Sequence, residues 1–253
     1  MKPILPLILA CTLTAAAPAA PEGSALVPKL EALAASGNGE AAYHLGMIHH
    51  LGLSGAEKNP AKALEQFRLA AERGDALGAY KLGCFYAGQG DGAVRPDSAL
   101  ALHWKLVAAK AGYALAQEDV AEILRLGGDG AGALGWYEAA ARQGSPRALM
   151  TLGVIYDPAS PHKAAAADKA KSYGYMALFF KGAPNPEMTA AGAQILADMA
   201  KGMSAAEVAR ATAFVEGWRE ERTPLTRRAD LGLSAAGTLI AEQAEAASAG
   251  TQR

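Results

Sequence analysis

The sequence predicts an all-α fold, a solenoid of stacked helical hairpins, and three observations carry that expectation. Alanine makes up about a quarter of the 253 residues, while aromatic residues are only 6% of the chain and charged residues 19%, against 51% hydrophobic. Runs of β-branched or aromatic residues long enough for strands are scarce, which disfavours sandwiches, barrels and doubly wound sheets. The third observation is an internal period. Units opening at Gly37, Gly74, Gly112 and Gly144 each place an aliphatic residue eight positions on, at Leu45, Leu82, Val120 and Leu152. A period of this length is the mark of a repeat array whose hairpins bury their apolar faces against one another.

The elements follow in chain order. Met1-Lys2, an apolar run from Pro3 to Leu13 and small residues up to Ala20 have the parts of a secretory signal peptide, so residues 1–20 are expected to direct export and be removed near Ala17 to Ala20. Ile8-Leu9-Ala10-Cys11 also resembles a bacterial lipobox, which leaves lipid anchoring through Cys11 as the alternative to a free periplasmic chain. Ordinary cleavage leaves Cys84 as the one remaining cysteine, so no internal disulfide is expected. The mature chain has no apolar stretch of membrane-spanning length.

Within each unit, small residues stand four positions before the aliphatic one, at Ala41, Gly78, Ala116 and Ala148, and Gly46, Gly83 and Gly153 follow it; the third unit has Ala121 instead. Second helices open at Asn59, Asp97 and Asp129, which are good N-cap residues, with Pro60 at a favoured first helical position. The pairs Ala70-Ala71, Ala108-Ala109 and Ala140-Ala141 recur eleven and twelve residues beyond those caps. Small residues on the facing surfaces let helix axes approach closely, and Leu64, Phe67 and Leu69 fill the remaining volume. The opening glycine of each unit suits the left-handed residue that ends the preceding helix.

This register resembles the Sel-one-like repeat, a relative of the tetratricopeptide repeat. The likeness is fullest from Gly74-Asp75-Ala76 through Leu82-Gly83-Cys84-Phe85-Tyr86, the loop Gly88 to Val94, and Asp97, Ala101, Trp104, Ala108-Ala109 and Gly112. Trp136-Tyr137, Ala140-Ala141 and Gly144 continue it. The third unit has a shortened loop, and the fourth leaves the pattern after Val154-Ile155-Tyr156, passing Pro158 and Pro161 before a helix near Asp168 to Phe180. The resemblance implies a right-handed α-solenoid of about four repeats over residues 37–182. Residues 183–218 read as C-terminal capping helices, including a Ser204 to Glu207 capping box. Residues 219–253 read as a linker and an Ala-rich tail, partly disordered.

The function expected from this reading is a non-enzymatic interaction scaffold of the bacterial envelope, monomeric, binding a protein or peptide in the groove of the first helices. Carried over from the tetratricopeptide relatives, the groove positions are Tyr43, Met47 and His50; Leu77, Tyr80 and Cys84; Glu118, Glu122 and Arg125; and Arg147, Met150 and Val154. A formal charge of -1 provides no basic footprint for nucleic acid. Gly88-Gln89-Gly90-Asp91-Gly92 joins helices and lacks the Lys-Ser/Thr of a phosphate loop. His44 and His49 stand five apart, which misses the one-face spacing of a helical zinc pair. Trp104, Trp136 and Tyr137 recur at equivalent positions and read as packing residues. No cofactor, metal or catalytic residue is expected. An envelope hydrolase acting on cell-wall material and a lipid-anchored regulator of a membrane sensor stand as the alternatives.

Overall fold

A computed structural model describes residues 26–161, 164–182 and 185–251. The signal-peptide and Cys11 readings lie outside these residues. Among the described residues there are thirteen α-helices and no strand. A lone helix α1 (Leu26–Ala35) precedes four hairpins: α2 (Gly39–Leu51) with α3 (Pro60–Glu72), α4 (Ala76–Cys84) with α5 (Ser98–Lys110), α6 (Ala114–Leu126) with α7 (Gly130–Arg142), and α8 (Pro146–Tyr156) with α9 (Lys169–Lys181). Each helix packs on its neighbours in sequence, so the four hairpins stack as an α-solenoid.

Local chemistry sets the helix ends. Asn59, Asp97, Asp129 and Asp168 cap the second helices, each accepting from backbone N–H groups of the first turn at 2.8–3.2 Å. Asn38, Asp75 and Ser145 cap α2, α4 and α8 in the same way. Gly37, Gly74, Gly112 and Gly144 hold φ of +104°, +82°, +92° and +86°, the left-handed turn that a side chain would strain. Helix contacts are close where small residues meet: a Cβ on Gly78 of α4 would collide with that of Ala70 on α3. The core between hairpins is filled by Ile48, Phe67, Leu77, Leu82 and Phe85 toward the N-terminus, and by Tyr137, Leu152 and Ile155 toward the C-terminus.

Two helices, α10 (Pro186–Lys201) and α11 (Ala205–Gly217), both pack against α9. The capping box is formed, with Ser204 Oγ accepting from Glu207 N–H at 3.3 Å and Glu207 Oε2 accepting from Ser204 N–H at 2.7 Å.

Residues 219–251, from the segment read as a linker and Ala-rich tail, form a strap that docks on the array. Trp218 packs on Tyr175 and Phe214, and the chain then runs back along the glycine turns in reverse order. Glu221 N–H donates to Arg142 C=O at 2.8 Å, and the Glu220 carboxyl fills the place where a Cβ on Gly144 would point. Thr223 caps α12 (Pro224–Leu231) and also donates from its hydroxyl to Gly112 C=O at 2.8 Å. Thr226 Oγ1 accepts from Ala114 N–H at 3.1 Å, supplying to α6 the cap that Tyr113 does not provide. Arg228 then reaches Asp75 and Glu40, at the openings of the second and first hairpins. Finally α13 (Ser234–Thr251) lays Ala236 and Leu239 into the same core as Leu30 of α1 and Leu45 of α2. The strap docks there because its polar side chains meet donors and acceptors that the turns leave unsatisfied.

Candidate functional site

The four first helices place eight of the twelve groove candidates in two columns, at five and nine residues beyond each helix's N-cap position. The inner column is Tyr43, Tyr80, Glu118 and Met150; the next is Met47, Cys84, Glu122 and Val154. Their surroundings differ along the array. Tyr43, Leu77, Tyr80 and Cys84 are buried, so these four are packing residues and not an open surface. Arg228 of the strap sits over the Tyr43 ring, 5.9 Å from its centroid. Tyr80 donates its hydroxyl to Asp119 at 3.2 Å, stacks edge-on against Tyr113 and shares Asp119 with the buried Lys105, whose Nζ lies 2.6 Å from that carboxylate. Burial pushes the Cys84 thiol up, which keeps it protonated and inert. Met47 and His50 are half-buried; the His50 ring lies 5.3 Å from that of Phe85, and burial pulls its pKa below the usual histidine value.

At the third hairpin the columns change from apolar to charged, with Glu118 buried and Glu122 half-buried, and at the fourth they are apolar again and accessible. Glu118, 4% exposed, forms an ion pair with Arg147, whose Nε lies 2.9 Å away, and accepts from the Ser145 hydroxyl. Glu122 takes a two-pronged contact from Arg125, at 2.6 Å from Nη2 and 2.9 Å from Nε, and a third bond from the Tyr137 hydroxyl at 2.6 Å. The structure brings Glu122, Arg125, Arg147, Met150 and Val154 together with Thr151 around one cleft of about 310 Å³ between α6 and α8. Met150 and Val154, 40% and 42% exposed, supply its apolar part. Five of the twelve positions therefore converge. Thr151 escaped the sequence reading because it stands one residue from the aliphatic Leu152, outside the groove spacing; a polar residue interrupting Met150 and Val154 was the available signal.

The Arg125 hydrogen bonds, with Tyr137 adding to them against the opposing effect of burial, hold the Glu122 carboxyl down at about 2. Because the folded value lies below the unfolded one, this contribution to stability is complete above the unfolded carboxylate range and fades as pH falls toward 2. Urea denaturation of wild type and Glu122→Gln should therefore show a stability difference at pH 6–7 that shrinks steadily below about pH 4.5. A difference that does not vary with pH would contradict this assignment.

Among the described residues, no group of three or more His, Cys, Asp or Glu side chains is arranged to hold a metal ion, and no helix is long and apolar enough to cross a membrane. His44, one of the three histidines singled out from the sequence, is buried with its Nε2 3.6 Å from Glu40.

The family model of the Sel1 repeat matches residues 39–75, 76–113 and 115–145, which are the first three hairpins with their turns. The chain carries three Sel1 repeats. The α8/α9 hairpin is a further helical hairpin stacked on the array beyond the matched residues. Two solved structures share the fold. A protective antigen present in uropathogenic Escherichia coli strains, described as having an SLR fold, is 23% identical with a TM-score of 0.62, over 81% of this chain and 43% of its own. A Sel1 repeat protein from Oxalobacter formigenes is 25% identical with a TM-score of 0.53, over 62% of this chain and 64% of its own. The chain thus spans less than two thirds of the length of either protein. A comparison with curated proteins finds no match. Sel1 repeats mediate protein–protein interaction, and proteins built from them are typically non-enzymatic scaffolds.

Proposed function

We propose that this Sel1-repeat chain is a non-enzymatic scaffold of the bacterial envelope that holds a segment of a partner protein in the cleft between α6 and α8. The observation that supports the cleft is the convergence there of Glu122, Arg125, Arg147, Met150 and Val154, with two aliphatic side chains left accessible. Of the equivalent positions in the first two repeats, Tyr43, Leu77, Tyr80 and Cys84 are consumed by internal packing, and Met47 and His50 are half-buried. An apolar strip flanked by charged, hydrogen-bonding groups suits a peptide or helix better than a flat protein surface. Export is supported by the composition of residues 1–20, and mass spectrometry of the mature N-terminus distinguishes cleavage near Ala17 to Ala20 from lipidation at Cys11.

A photo-crosslinking amino acid placed at Val154 in the native envelope tests the cleft, with a control at Leu100, which is exposed on the second helix α5. We expect a discrete adduct from Val154 that Met150→Asp abolishes, and none of the same mass from Leu100. Equal adducts from both positions, or an adduct indifferent to Met150→Asp, would count against the cleft.

A further inference from the structure

The cleft has a hydrogen-bonding character mostly of one sign, and the inference drawn from it rests on the proposed function above. Both carboxylates are already satisfied from within. Glu122 Oε1 accepts from Arg125 Nη2, and its Oε2 accepts from Arg125 Nε and the Tyr137 hydroxyl. Glu118, which does not line the cleft, is ion-paired with Arg147 at one oxygen and accepts from Ser145 at the other.

The arginines are in the opposite condition. A guanidinium carries five N–H donors. Arg125 gives its Nε and one hydrogen of Nη2 to Glu122 and lies beside the Tyr137 hydroxyl, and among the described residues Nη1 makes no hydrogen bond. Arg147 makes one ion pair, through Nε to Glu118, and 60% of its side chain is exposed. The four ionised groups sum to no net charge, so the character of the site is invisible to charge counting. Its unmet ionic capacity is nonetheless mostly donor, because Glu122 already accepts three bonds while Arg125 and Arg147 keep most of their N–H groups. The hydroxyl of Thr151 serves either way, and Met150 and Val154 lie beside these donors.

We propose that the cleft takes a partner segment carrying an aspartate or glutamate side chain next to an aliphatic one. The carboxylate accepts from the free edges of Arg125 and Arg147, and the aliphatic group covers Met150 and Val154. Charge-assisted, forked contacts of this kind are stronger than those to a neutral carbonyl. A segment carrying lysine or arginine at the same place meets two guanidinium groups and carboxylate oxygens that are each already engaged.

The test uses the full chain as bait for a random dodecapeptide library displayed on phage, followed by anisotropy titration of the strongest selected peptide. Met150→Glu and Met150→Lys change the charge of the cleft without removing an ion pair, and circular dichroism checks that both are folded. We expect selected peptides to carry Asp or Glu beside Leu, Ile, Val or Met. Exchanging that acid for its amide should weaken binding roughly ten- to a hundredfold. The Met150→Lys variant should bind at least about tenfold more tightly than Met150→Glu, as a charge-assisted bond is gained in one and opposed in the other. Equal weakening by both variants, or selection of peptides without acids, overturns the carboxylate inference while leaving the cleft as the contact site. No selected binder, or binding indifferent to both variants, overturns the cleft and the inference together.

Discussion

Replacing Arg228 by alanine should destabilise the folded chain by about 3–5 kcal/mol, the usual consequence of removing one partner from a largely buried ion pair. Arg228 Nη2 lies 2.5 Å from Asp75 Oδ2 and Nη1 lies 2.8 Å from Glu40 Oε2. The Asp75 side chain is only 4% exposed and already caps α4, so without the guanidinium its charge remains in a poorly hydrated place beside a second carboxylate. Arg228→Lys should recover only part of the loss, because a single ammonium cannot offer a fork to two carboxylates. Thermal unfolding would show the alanine variant lowered on the order of 10 °C for a chain of this size. A change of less than a degree or two would mean that the strap contributes little to holding the array together.

A comparable loss is expected inside the repeats. Leu82→Ala should cost about 2–5 kcal/mol, because Leu82 is 1% exposed among the side chains joining α2, α3 and α4, and its removal leaves a cavity that helices cannot easily close. Leu126, 71% exposed near the end of α6, provides the contrast: Leu126→Ala should stay within about 0.5 kcal/mol of wild type. Denaturant titration of the two variants separates the register proposed for the repeats from one shifted along the helices, in which the two effects would be similar.

Much of the fold was legible because a repeat writes its packing into the sequence several times. The N-caps Asn59, Asp97 and Asp129, the left-handed glycines and the paired alanines are local requirements of a helix end or a helix contact, and each recurs at the same offset. The groove was legible only as a set of positions. Tyr43 and Tyr80 stand at the same offset as Met150, yet the tyrosines are covered and the methionine is accessible. What covers Tyr43 is Arg228, 185 residues away in the chain, and what engages Tyr80 is Asp119 on the next first helix. Neither contact has a period.

The strap shows the same limit. Thr223, Thr226 and Arg228 look like solvated residues of a polar linker, since their partners Gly112, Gln143, Asp75 and Glu40 belong to four other turns. By itself, the sequence determined the helices, their caps, the stacking of hairpins and the absence of strand-forming runs, because these depend on residues within about one turn or one repeat of each other. Only the tertiary structure decided which groove positions stay open and that the C-terminal segment braces the array, because burial of a surface and satisfaction of a buried polar group depend on whatever distant segment the fold brings against it.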